Sequence, residues 1–194
     1  TGNGICNAVS DAMLVTITDA PTVNAGTNQT VCANNAIVTL NGTVTTATGG
    51  TWTTNGTGTF ANANSLTTTY TPSNADTANG TVTLTLTTTG NGICNAVSDA
   101  MLVTITDAPT VNAGTNQTVC ANNAIVTLNG TVTTATGGTW TTNGTGTFAN
   151  ANSLNTTYTP SNADTANGTV TLTLTTTGNG ICNAVSDAML VTIT

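Results

Sequence analysis

Three features of the sequence predict an all-β protein of tandem antiparallel β-sandwich repeats. Residues 1–106 and 89–194 align over 106 pairs with one difference, Thr67 against Asn155, which sets a period of 88 residues. Apolar residues fall at every second position in several runs, the spacing of a strand with one face buried and one wet. Asn-Gly and Gly-Gly pairs punctuate those runs, and such pairs supply the positive φ that tight hairpins need. A period of 88 residues is too long for one turn of a solenoid and suits a small domain with its own core.

The linkers come first, because they set the register of the repeat. Asp19-Ala20-Pro21 and Asp107-Ala108-Pro109 each follow an apolar alternation and precede a turn-rich stretch, Asn24-Ala25-Gly26-Thr27-Asn28 in the first case. Cutting there gives complete β-sandwich repeats at 20–106 and 108–194, preceded by 1–18, the C-terminal strands of a truncated earlier repeat. Residues 1–18 lack the charged and apolar regions of a signal peptide, so the sequence reads as a mature chain or an excised piece.

Within 20–106, Val38, Leu40, Gly42 and Val44 alternate with threonine or asparagine. Val82, Leu84 and Leu86 alternate with Thr81, Thr83, Thr85 and Thr87, and Met101, Val103 and Ile105 repeat the pattern. Threonine is β-branched and polar, so it can cover the wet face of a sheet without charge. Turns are expected at Gly49-Gly50, Asn55-Gly56, Asn79-Gly80 and Asn91-Gly92, and no segment has helical periodicity. Trp52, Phe60 and Tyr70 are the large side chains available to fill the centre. The Tyr70 hydroxyl is expected to bond a nearby backbone group, as in a tyrosine corner.

Composition removes most function classes. The chain has no Lys, Arg, His or Glu, and seven Asp carry the whole net charge of −7. Nothing can neutralise phosphates, so nucleic acid and anionic membranes are poor partners. The usual proton-transfer groups are missing, and Ser or Thr nucleophiles have no base to activate them, so the expectation is not an enzyme. No run of about 18 apolar residues exists, which excludes a membrane-spanning helix. At 38% hydrophobic residues in alternating positions, the chain can still bury a core and is not a disordered tract.

The five cysteines, Cys6, Cys32, Cys94, Cys120 and Cys182, follow the same register. The expected pairs are Cys32 with Cys94 and Cys120 with Cys182, leaving Cys6 unpaired by truncation. Each bond would close a loop of about 62 residues and add roughly 4 kcal/mol in the chain-entropy model. The competing scheme joins Cys6 to Cys32 and Cys94 to Cys120 across the linkers, with Cys182 alone. Regular cysteines in a unit with a small core point to an oxidising, extracellular location.

The string Cys32, Leu40-Asn41-Gly42, Gly49-Gly50-Thr51-Trp52, Gly56-Thr57-Gly58-Thr59-Phe60, Tyr70-Thr71-Pro72-Ser73, Asp76, Gly80-Thr81-Val82 and Cys94 resembles the PKD-like or immunoglobulin-like repeats of giant Bacteroidetes surface adhesins of the SprB-type gliding class. The likeness covers the whole repeat and recurs at Cys120, Trp140, Phe148, Tyr158-Thr159-Pro160 and Cys182. It implies cell-surface localisation, type IX secretion, long tandem arrays, and service in adhesion or gliding motility. Asp76-Thr77-Ala78 and Asp164-Thr165-Ala166 also resemble the Asp-Thr-Ala pattern of Bacteroidetes O-glycosylation, which makes Thr77 and Thr165 candidate sites.

No cofactor is expected, with weak calcium binding as the one exception. Hard cations take carboxylate and carbonyl oxygens, and Asp19 and Asp107 sit at the linkers, although no dense ligand motif accompanies them. Trp52 and Trp140 offer sugar-stacking surfaces in principle, but with three aromatics per repeat the core needs them. A Thr–Gln ester through Gln29 lacks an acid partner. The leading expectation is a structural module of a long extracellular filament or adhesin stalk, partnered by neighbouring repeats of the same chain and by like filaments. The alternatives are a surface- or polysaccharide-binding module, or a subunit that polymerises by strand addition through Met13–Thr18.

Overall fold

The computed structural model describes Gly4 and residues 8–194. The first repeat contains strands β1 (Thr22–Asn24), β2 (Gln29–Cys32), β3 (Val38–Asn41), β4 (Thr43–Thr45), β5 (Gly49–Thr54), β6 (Thr59–Phe60), β7 (Thr67–Thr71), β8 (Thr81–Thr89) and β9 (Ser98–Thr106). The second copies them as β10 (Thr110–Asn112), β11 (Gln117–Val119), β12 (Val126–Asn129), β13 (Thr131–Thr133), β14 (Gly137–Thr142), β15 (Thr147–Phe148), β16 (Asn155–Thr159), β17 (Thr169–Thr177) and β18 (Ser186–Ile193). The protein is an all-β chain of β-sandwich repeats. In the first repeat a four-stranded sheet, β2-β9-β8-β5, faces a three-stranded one, β3-β7-β6, and β1 pairs with β4 at the side.

The alternation read from the sequence becomes the two faces of these sheets. Val38, Leu40, Trp52, Tyr70, Val82, Leu84, Leu86, Met101, Val103 and Ile105 form one buried cluster, and their equivalents from Val126 to Ile193 form a second. The intervening threonines point away from the core. Every ladder is antiparallel except β2 on β9 and its copy β11 on β18, which run parallel. That parallel pairing places Cys32 beside Thr106, at the edge that meets the linker to the second repeat.

Several local expectations are corrected. Residues Asn74–Asn79 form a short helix, α1, and Asn162–Asn167 form its copy, α2. No apolar period announces α1, because six residues bury only Asp76. Its ends are nonetheless written in the sequence. Ser73 caps the Asp76 N–H while the Asp76 carboxylate accepts from the Ser73 N–H, a reciprocal capping box, and Gly80 at φ 72° closes the helix in the left-handed region. The Asn79-Gly80 pair is therefore a helix end and not a hairpin turn. Gly49-Gly50 lies inside β5, and the chain reverses just before it, where Thr46 takes φ 61°. Phe60 is only partly buried and packs its ring on Tyr70 at 4.9 Å. The strand-like Met13–Thr18 forms no strand, and Met13, Val15 and Ile17 are exposed. The same residues at 101–106 form β9 because β8 and β2 flank them, and a strand needs such a neighbour for its backbone groups.

Candidate functional site: the junction between repeats

Each repeat carries a buried polar cluster around its tyrosine and helix aspartate, and it is structural. The Tyr70 hydroxyl donates to the Asp76 carboxylate at 2.7 Å, and accepts from the Gly58 N–H at 3.0 Å and the Thr54 hydroxyl at 3.3 Å. The expected bond to a backbone group exists with Tyr70 as acceptor, while its own proton goes to Asp76. Asp76 also takes the N–H groups of Thr57, Gly58 and Ser73 at 2.9, 2.9 and 3.0 Å. Burial alone would push this carboxyl up; the hydrogen bonds from Tyr70, Ser73, Thr57 and Gly58 outweigh it and hold the group below its ordinary range. In the copy, burial is likewise outweighed by bonds from Ser161, Thr145, Tyr158 and Gly146, leaving Asp164 at about 2. Burial, together with the neighbouring carboxylate, pushes the Tyr70 hydroxyl up. The cluster ties α1 to the β5–β6 bend and offers no open face to a substrate.

The junction is where the repeats meet chemically. Cys32, at the end of β2, is bonded to Cys182, in the turn after β17, with Cα atoms 5.1 Å apart and a separation of 150 positions along the chain. Asn34 and Asn183 reinforce the contact. The Asn34 amide donates to the Asn183 carbonyl at 3.0 Å, and the Asn183 N–H donates to the Asn34 side-chain oxygen at 3.1 Å. The Asn183 amide reaches the Asn34 carbonyl at 3.4 Å. Both sulfurs lie against the linker, 3.8 and 3.6 Å from the Asp107 carbonyl oxygen. A disulfide has no proton to donate, so these are packing contacts.

This bond overturns the expected pairs Cys32–Cys94 and Cys120–Cys182, and equally the scheme joining Cys94 to Cys120; both of these are free thiols. The physical reason is topological. The parallel β2–β9 pair carries Cys32 to the far edge of its sandwich, beside the linker, where the next repeat's 178–182 turn lies within reach. Cys6 lies outside the described residues.

Trp52 is 1% exposed, with its indole N–H directed at the Leu66 carbonyl at 3.4 Å, and Trp140 matches it, so neither presents a sugar-stacking face. Gln29 donates its side-chain amide to the Thr39 carbonyl at 2.8 Å. Asp19 and Asp107 bring backbone carbonyls to the cysteines, and among the described residues no group of three metal-ligating side chains is assembled. The hydroxyls of Thr77 and Thr165, half-buried in the short helices, donate to the Ser73 and Ser161 carbonyls at 3.1 and 3.0 Å. Asn34 and Asn183 were missed. They sit beside cysteines in Cys-Ala-Asn and Cys-Asn, but nothing in a single sequence joins residues 149 positions apart.

No family model matches the sequence, and no curated protein matches it. Among solved structures it is similar to Drosophila N-cadherin EC1-4, at 13% identity and a TM-score of 0.45, over 91% of this chain and 50% of that one. Similarity to Sidekick-1 immunoglobulin domains 1-5 is 14% identity with a TM-score of 0.39, over 91% of this chain and 39% of that one. The titin I-band fragment I67-I69 gives 11% and 0.41, over 91% and 66% respectively. At these scores the likeness assigns no family, and the sandwich stands on the chain's own strand pairing.

Proposed function

We propose that the chain is a structural repeat module of an extracellular filament or stalk, with sandwich repeats at 20–106 and 108–194, in which length, stiffness and chemical inertness are the function. The observation that carries this reading is the Cys32–Cys182 bond, which joins one repeat to the next. A bond within a domain stabilises that domain; a bond across a linker fixes the angle between neighbours. A disulfide also fits an oxidising, extracellular location. The composition suits the same task. Without Lys or Arg the chain offers trypsin-type proteases no site, and its acidic, threonine-covered surface resists collapse onto an anionic envelope.

Within this reading the chain belongs to the stalk of a cell-surface adhesin like those of gliding Bacteroidetes. Thr77 and Thr165 are its O-glycosylation candidates, and intact mass of the native material in hexose-sized steps tests them. The passive role is tested by surface retention and glycan binding of the oxidised chain. A spacer gives neither, whereas retention on one polysaccharide class would replace this reading with a binding module.

A further inference from the structure

The two repeats have the same sequence through the cysteine segment but differ in structure there. Cys32 is 1% exposed and bridges to Asn35, whereas Cys120 is exposed and the following Ala121–Asn123 coils into a 3-10 turn. A difference in surroundings, not in sequence, separates the two forms: Cys32 has a repeat packed on it. The second-cysteine end shows the converse. The Cys94 sulfur lies 3.7 Å from the Asp19 carbonyl oxygen and 3.5 Å from the Thr18 hydroxyl, as Cys182 lies 3.6 and 4.0 Å from the same groups of Asp107 and Thr106. Beside Cys94 opens a cavity of about 390 Å³ lined by Thr18, Thr46, Asn91 and Ile93. Ile93 is 87% exposed, while its equivalent Ile181, where the first repeat docks, is 54% exposed.

We propose that Cys94 and Cys120 are the open halves of the same staple, each completed by a further copy of this repeat joined in tandem. Cys94 takes the first cysteine of a repeat on its N-terminal side, and Cys120 takes the second cysteine of a repeat on its C-terminal side. The occupant of the Cys94 cavity is the Cys-Ala-Asn loop that the structure already shows seated at Cys182. Asn95 and Asn122, the repeat equivalents of Asn183 and Asn34, make the reciprocal amide bonds at the two new junctions. The two contact faces of a repeat are different surfaces, so the interface is head-to-tail and extends without closing. This deepens the stalk reading and rests on it.

The consequence is a covalent ladder. A staple spans 150 residues and the period is 88, so successive loops overlap by the 62 residues from Cys120 to Cys182. Every residue between the first and the last stapled cysteine of the array then lies inside at least one closed loop. Each bond forms by exchange. The Cys120 thiolate attacks a small-molecule disulfide such as oxidised glutathione and releases one thiol. The partner thiolate then displaces the second thiol, so the two protein thiols lose two protons and two electrons and the oxidant becomes two thiols.

The test appends one more copy of residues 107–194 after Thr194, in a Cys6→Ser background, oxidises with glutathione disulfide and counts free thiols by alkylation and intact mass. The expected count is two, rising to three with Cys120→Ser, because that change orphans the added repeat's second cysteine. Serine at the added second cysteine must also give three, by orphaning Cys120. A parent count of four, or a fall from two to one with Cys120→Ser, overturns the proposal. These counts read pairing alone, whereas retention on surfaces reads the spacer role, so either can fail without the other.

Discussion

Pulling the chain from its two ends separates a staple between repeats from one within them. In a variant carrying Cys6→Ser, Cys94→Ser and Cys120→Ser, only the Cys32–Cys182 bond can form. Reduced, both sandwiches unfold under force and every residue contributes to the final length. Oxidised, tension leaves the backbone at Cys32, crosses the sulfur–sulfur bond and rejoins at Cys182, so the chain between them, a separation of 150 positions, carries no load. At about 3.3–3.6 Å per extended residue, roughly 500 Å of chain stays hidden until reductant is added. The same loop adds about 5 kcal/mol in the chain-entropy model, an upper figure because native strain subtracts from it. Single-molecule force spectroscopy reads both effects. The full-length contour should appear with reductant and fall short by that hidden length without it. Identical traces in the two conditions would refute the junction geometry.

The buried Asp76 and Asp164 give the remaining predictions. Asp164 sits at about 2 when folded against an ordinary 3.8, so its contribution is fully present above pH ~4 and is lost as pH falls through ~2. A shift of that size is worth roughly 2 kcal/mol, and acid titration of urea stability should show a loss in that window that Asp164→Asn reduces. Tyr70→Phe deletes the proton given to Asp76 and should cost about 1–3 kcal/mol in denaturant midpoint analysis, with the reduced chain's fold otherwise kept. Gly58→Ala drives a Cβ into the Thr71 carbonyl oxygen and the Tyr70 ring. Overpacking of this kind costs about 1–3 kcal/mol, and a melting temperature equal to wild type would contradict the described packing.

The sheets were legible because their signal is local. Val82-Thr83-Leu84-Thr85-Leu86 states its two faces in five residues, and the buried ladder of β8 follows it residue for residue. Trp52 was legible as core for a similar reason, since a repeat with so few aromatics cannot spare one for the surface. Apolar periodicity does not mark the short helix α1, but the Ser73 to Asp76 capping box in the sequence does. The disulfide pairing escaped for a different reason. Near-identical repeats make Cys94 and Cys182 equivalent as letters, and which of them Cys32 meets depends on a parallel β2–β9 ladder that alternation cannot distinguish from an antiparallel one. Register at the linker is a tertiary fact, and both pairing schemes drawn from spacing failed on it.

A thiol count on cysteine-to-serine variants of the oxidised 194-residue chain, in the Cys6→Ser background, tests the central claim most directly. Pairing of Cys32 with Cys182 predicts two free thiols, falling to one with Cys94→Ser and rising to three with Cys32→Ser. Pairing within repeats would instead give none, rising to one with Cys94→Ser. A Cys94–Cys120 bond would give two, rising to three with that same substitution, and either pattern would contradict the stapled junction.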